Sequence, residues 1–122
     1  MTDPRKIEFR DRTKRFAVGV IRFCSSLPGE RGIHNLVNQL IRSSCSVAAN
    51  FREACRARST AEFISKIEVC LQEADESMLW LELIEDGYNM KSEQNTKLQA
   101  EVDELIAILV TMARTAKSRA AA

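Results

Sequence analysis

Chain-breaking residues are what this sequence has least of. Four glycines and two prolines interrupt 122 residues that are otherwise mostly good helix formers, which excludes a many-turned β fold and favours a few long helices. No apolar run approaches the roughly 20 residues that a membrane span requires, and the charged amino-terminal stretch has no apolar segment of the secretory kind. A cytoplasmic protein with no membrane contact is the expectation. Histidine occurs once, as His34, and the four cysteines, Cys24, Cys45, Cys55 and Cys70, form no CxxC pair. Metal-ligand spacing is therefore missing, and the cysteines read as small packed hydrophobes. There is no Glu-x-x-His pair for a carboxylate-bridged di-metal site, no phosphate-binding glycine loop, and no Ser-His-Asp or Cys-His set on a shared helix face. The expectation is a non-enzymatic protein with no catalytic residue, metal or cofactor.

What is present is charge, unevenly spread. The net charge is only +1, yet residues 1–58 carry 12 Lys and Arg against 5 Asp and Glu, and residues 59–122 carry 6 against 12. Such halves either complement each other within a bundle or between subunits, or leave a basic surface for a polyanion. The length suits one domain, residues 1–122, with a single core.

In chain order, Thr2-Asp3-Pro4 reads as a helix start with Asp3 as N-cap. A first helix follows to Ser26, burying Phe9, Thr13, Phe16, Val20, Phe23 and Leu27. Arg5, Arg12, Lys14, Arg15 and Arg22 lie away from that stripe and give the helix a basic outer side, ordinarily a solvated face but also the best nucleic-acid candidate. Leu27-Pro28-Gly29 ends the helix. A second spans about Gly32 to Ala57, with an apolar stripe of Val37, Ile41, Ser44, Ala48, Phe51 and Cys55. Ser59-Thr60-Ala61-Glu62 fits a capping box for a third helix, Thr60 to Asp86, closed by Gly87 as C-cap. Its stripe is Phe63, Ile67, Cys70, Ala74, Ser77, Leu81 and Ile84. Ser92 caps a fourth helix carrying Leu98, Val102, Leu105, Leu109 and Met112, and the small, basic end, residues 114–122, is expected to fray.

The second and third helices also carry polar stripes beside small residues such as Ser43, Ser44, Cys45, Ala48 and Ala49, which permit close helix approach. If the two helices are antiparallel neighbours, Glu53 meets Lys66, and Arg42 meets Glu73 or Glu76. Trp80 is placed at the far end or at a subunit contact, where its N–H finds an acceptor. Arg42, Asn50, Glu53, Lys66, Glu73, Glu76 and Trp80 are thus the candidates for an inter-helix polar network or an assembly surface. A second semi-polar stripe exceeds what a monomeric bundle needs and points to self-association.

Specific runs carry a family pattern. Ser26-Leu27-Pro28, Gln39-Leu40-Ile41-Arg42, Ser46-Val47-Ala48-Ala49-Asn50 with Glu53-Ala54, Arg58-Ser59 with Glu62-Phe63, and then Phe63-Ile64-Ser65-Lys66, Glu73-Ala74, Glu76-Ser77 and Trp80-Leu81 resemble the four-helix-bundle family encoded in intervening sequences of bacterial large-subunit ribosomal RNA. The resemblance covers about Phe9 to Met112. Common members have Asn-Ile-Ala-Glu-Gly where this chain reads Asn50-Phe51-Arg52-Glu53-Ala54, a departure that fits one branch. The resemblance implies an all-α, up-down four-helix bundle with antiparallel neighbouring helices, a ring-shaped homopentamer and no known enzymatic activity. The family is also similar to the accessory variability determinant protein of diversity-generating retroelements, a pentameric bundle that binds nucleic acid and a reverse transcriptase.

Two functions are consistent with these features. One is an assembly that holds RNA or DNA through phosphates on Arg5, Arg12, Lys14, Arg15 and Arg22; few exposed aromatics accompany them, so base stacking is weakly supported. The other is a protein-binding scaffold or adaptor with no nucleic-acid role.

Overall fold

The computed structural model describes residues 3–122; Met1 and Thr2, the latter part of the expected helix start, lie outside them. The described residues form four helices and no strand: α1 (Pro4–Ser26), α2 (Ile33–Cys55), α3 (Thr60–Gly87) and α4 (Glu93–Ala121). Each helix packs on its neighbours in chain order, and α4 returns to α1. Among the described residues the backbones of the diagonal pairs, α1 with α3 and α2 with α4, do not approach each other, which defines a square up-down bundle. The α2–α3 seam is the broadest and the α1–α4 seam the narrowest.

Local chemistry sets most of the ends. The Asp3 carboxylate accepts the Arg5 N–H at 2.9 Å, and Pro4 occupies the first turn, where no N–H is needed. Ser59 Oγ accepts the Glu62 N–H at 3.1 Å, while the Glu62 carboxylate accepts the Arg58 N–H at 3.2 Å, one residue before the expected box partner. Ser92 Oγ accepts the Asn95 N–H at 3.1 Å. Two expected ends differ. Gly87 is the last residue of α3 rather than its left-handed stop; Asn89 takes that conformation, with φ 52°, and the Met90 N–H reaches back to Glu85 O at 3.0 Å. The half-buried Met90 side chain packs on the core and holds this six-to-one closure in place. Residues 114–121, expected to fray, continue α4: the stretch is rich in alanine, Ala113 is buried, and Lys117 Nζ lies 3.4 Å from Glu68 Oε2 on α3.

The stripes of α1, α3 and α4 face the core as the spacing predicts, with Leu27, Phe63, Leu98 and Met112 only half-buried at their edges. On α2 the buried face is rotated from the expected stripe. Leu40, Ser43, Ser44, Val47, Phe51 and Ala54 are buried, whereas Val37, Ile41, Ala48 and Cys55 are intermediate. This helix packs on both α1 and α3, so its buried face centres between them. Phe51 meets Phe9 edge-on, ring centroids 4.8 Å apart at 75°, which ties α2 to α1.

Candidate nucleic-acid interface

Antiparallel folding sorts the charge along the long axis of the bundle. One end holds the start of α1, the end of α2, the start of α3 and the end of α4, residues 3–14, 45–72 and 108–122. These carry 12 Lys and Arg against 6 Asp and Glu, a net +6. The other end, residues 15–44 and 73–107, carries 6 against 11, a net −5. At the basic end Arg52 and Arg56 sit at the C-terminus of α2, and Lys117 and Arg119 near that of α4, where helix dipoles favour cations. At the acidic end Glu82, Glu85 and Asp86 close α3 against its own dipole, so helix capping does not explain their sign.

The five cations expected on α1 separate into three environments. Arg12 is tied to α4: its Nε and one terminal nitrogen each donate to the Glu101 carboxylate at 2.8 Å, and the same nitrogen donates to Glu104 at 3.2 Å. The Glu101 hydrogen bond raises the Arg12 pKa further above its ordinary value. This is a fork-to-carboxylate clamp of the narrowest seam, and it removes Arg12 from the surface set. Arg5 donates to Asp3 at 3.3 Å and stands at the basic end. The Arg5 backbone N–H, ahead of its guanidinium, holds the Asp3 carboxyl below the usual range. Lys14, Arg15 and Arg22 line a shallow depression on the outer side of α1 with Asp11, Val18 and Gly19.

On the α2–α3 seam Lys66 Nζ donates to Glu53 Oε1 at 2.9 Å, a contact that raises the Lys66 pKa. Arg42 lies 3.5 Å from Glu73 and 4.0 Å from Glu76. Hydrogen bonding with Glu73 and then burial hold the Glu76 carboxyl above its usual range. Asn50 is not part of this network; its amide donates to Ser46 O and Ser46 Oγ, both at 2.9 Å, one turn back on its own helix. Trp80 is half-buried, and its Nε1, expected to find an acceptor, is buried with no hydrogen-bond partner among the described residues.

The pattern of the family described as "23S rRNA-intervening sequence protein" matches residues 5–111. The chain belongs to this family. A solved structure, described as a protein with unknown function from the S23 ribosomal protein family of Bacteroides thetaiotaomicron VPI-5482, is 32% identical. It superposes with a TM-score of 0.78 over 85% of this chain and 96% of that one. No curated protein matches.

Two features that the sequence pattern does not announce hold the helices in register. Ser43 and Ser77, both fully buried, lie 2.8 Å apart across α2 and α3; with one proton each, one hydroxyl donates across the seam while the other donates to a carbonyl of its own helix. Buried Asn95 at the start of α4 donates to Leu81 O at 3.0 Å and accepts from Gln99 at 2.8 Å. The small-residue run on α2 is the signal that could have found the first; a single asparagine behind a serine cap gives no signal for the second.

Proposed function

We propose that this protein is a non-enzymatic, self-associating four-helix bundle whose basic end holds RNA or DNA through phosphates. The observation that carries the reading is the axial separation of +6 from −5, which concentrates positive potential on one end instead of along one helix. Arg58 and Arg119, both exposed there, have no carboxylate within ion-pair distance among the described residues. The working cations are therefore Lys6, Arg58 and Arg119 together with Arg5, while Lys14, Arg15 and Arg22 form a flanking track.

Supporting self-association are the buried Trp80 Nε1, which has no hydrogen-bond partner among the described residues, and the exposed Leu79 and Leu83 on the same helix. A neighbouring copy would cover the leucines and supply polar partners. The family resemblance implies five copies. In a ring whose symmetry axis runs along the helices every copy points the same way, so all basic ends share one face.

Light-scattering mass on a sizing column, at low and moderate salt, with and without a mixed RNA and DNA pool, tests the reading. A pentamer whose peak shifts with nucleic acid at low salt only is expected. A pentamer indifferent to nucleic acid favours the second reading, a protein-binding scaffold docking at Leu79 and Leu83. A monomer contradicts the assembly.

A further inference from the structure

At the basic end the α1–α4 seam opens. Below the Arg12 clamp lies a groove of about 460 Å3, walled by α1 and α4 and reaching Phe63 on α3. Its floor is apolar, with Phe63, Ile108 and Met112, all only half-buried. It runs into a second depression of about 350 Å3 at the α2–α3 corner, and the two share Lys6, Phe63, Ala116 and Arg119. Of the five phenylalanines, the other four are closed inside the core. Phe63 packs on the edge of the core, and Lys6 Nζ lies over its ring, 4.5 Å from the centroid.

We propose that this groove receives an unpaired base of a single-stranded nucleic acid, with the flanking phosphates on Lys6, Arg58 and Arg119. The inference rests on the nucleic-acid reading above and specifies its ligand. The charge complementarity is that of a polyanion: cations from three places in the fold, α1, the α2–α3 corner and α4, follow both depressions. A single acyl carboxylate would use only one of them. A base needs an apolar surface with polar edges, and here the floor supplies the surface while Thr111 and Thr115 line the wall; the Thr111 hydroxyl donates to Ala107 O at 3.1 Å and so offers its oxygen as an acceptor. Lys6 is the movable element. Its flexible stem lets the ammonium leave the Phe63 ring for a phosphate, which uncovers the ring for stacking. A base-paired duplex keeps its bases stacked and cannot place one in the groove, so single strands gain an interaction that duplexes do not.

The test uses the full chain and fluorescence anisotropy at about 50 mM salt. The probes are a labelled mixed-sequence single strand, the duplex of the same sequence, and a strand of equal length in which abasic sites replace most bases. The base-bearing single strand is expected to bind roughly 5- to 100-fold more tightly than the abasic one. Ala107→Leu, which fills the exposed groove wall without a charge, should remove that preference while mass and melting stay those of the wild type, and Phe63→Leu should remove it with unchanged mass and a small drop in melting temperature. Equal binding of base-bearing and abasic strands, salt-sensitive in both, overturns the base site and leaves the phosphate reading standing. Absence of binding to any of the probes overturns both. Binding of dodecanoate that the oligonucleotide fails to displace assigns the groove to an acyl anion and overturns the proposal.

Discussion

Arg12 on α1 grips the Glu101 carboxylate on α4 with two hydrogen bonds of 2.8 Å, 89 residues apart in the chain. The seam they close is the narrowest of the four. Both side chains are about a quarter to a third exposed, enough burial for the fork to count and enough water to moderate it. Arg12→Ala should cost about 1–2 kcal/mol and lower the melting temperature by roughly 3–8 °C, while leaving nucleic-acid affinity at low salt nearly unchanged. Arg58→Ala should do the reverse. Melting curves and anisotropy on the two variants check this dissociation.

The Ser43 and Ser77 hydroxyls lie 2.8 Å apart at a dry contact between α2 and α3. Removing one leaves the other with a backbone carbonyl but no cross-helix partner. Each single alanine variant should cost about 1 kcal/mol, and the double variant clearly less than the sum, because the pair vanishes together. Additive costs in chemical denaturation would show that the hydroxyls act independently.

Arg42 stands between two carboxylates of α3. Its charge opposes the rise in the Glu76 pKa that Glu73 causes. A carboxyl whose folded pKa is raised contributes stability below its unfolded value, near 4.5, and that contribution is lost as pH climbs through the folded value. Without Arg42 the Glu76 rise is larger, so Arg42→Ala should be less stable than the wild type at neutral pH, by about 0.5 kcal/mol because Arg42 and Glu76 are both largely in water, with the gap closing near pH 4. A gap independent of pH in parallel melts would place the effect in packing.

Burial pushes the Cys24 thiol up to about 11 and the Cys70 thiol to about 12. Both should resist alkylation at pH 8 in the folded protein and react fully in denaturant, as counted by mass spectrometry.

Much of this fold is legible in the residues because the features are local. Asp3, Ser59 and Ser92 cap helices through bonds that span two or three positions. The Lys66 to Glu53 pair follows from two stripes leaving one short corner. Other features are hidden for physical reasons. Asn89 displaces Gly87 as the left-handed residue because Met90 has to pack. Arg12 reads as a surface arginine until α4 returns beside α1. Helical spacing places the basic surface on one helix, whereas the fold gathers it from the ends of all four; chain halves are not spatial halves once neighbours run antiparallel. Phe63 shares the spacing of a core residue, and only the opening of the seam sets it in a groove.

The most direct measurement is the salt dependence of single-strand affinity for two charge reversals that carry the same change in net charge. One is Arg58→Glu with Arg119→Glu at the basic end, and the other is Arg15→Glu with Arg22→Glu on the outer side of α1. The end variant should lose at least tenfold in affinity at low salt and flatten the log–log slope by about 0.7 for each phosphate that is no longer neutralised, with the α1 variant affected less. Equal losses, or a greater loss in the α1 variant, would contradict an interface at the end of the bundle.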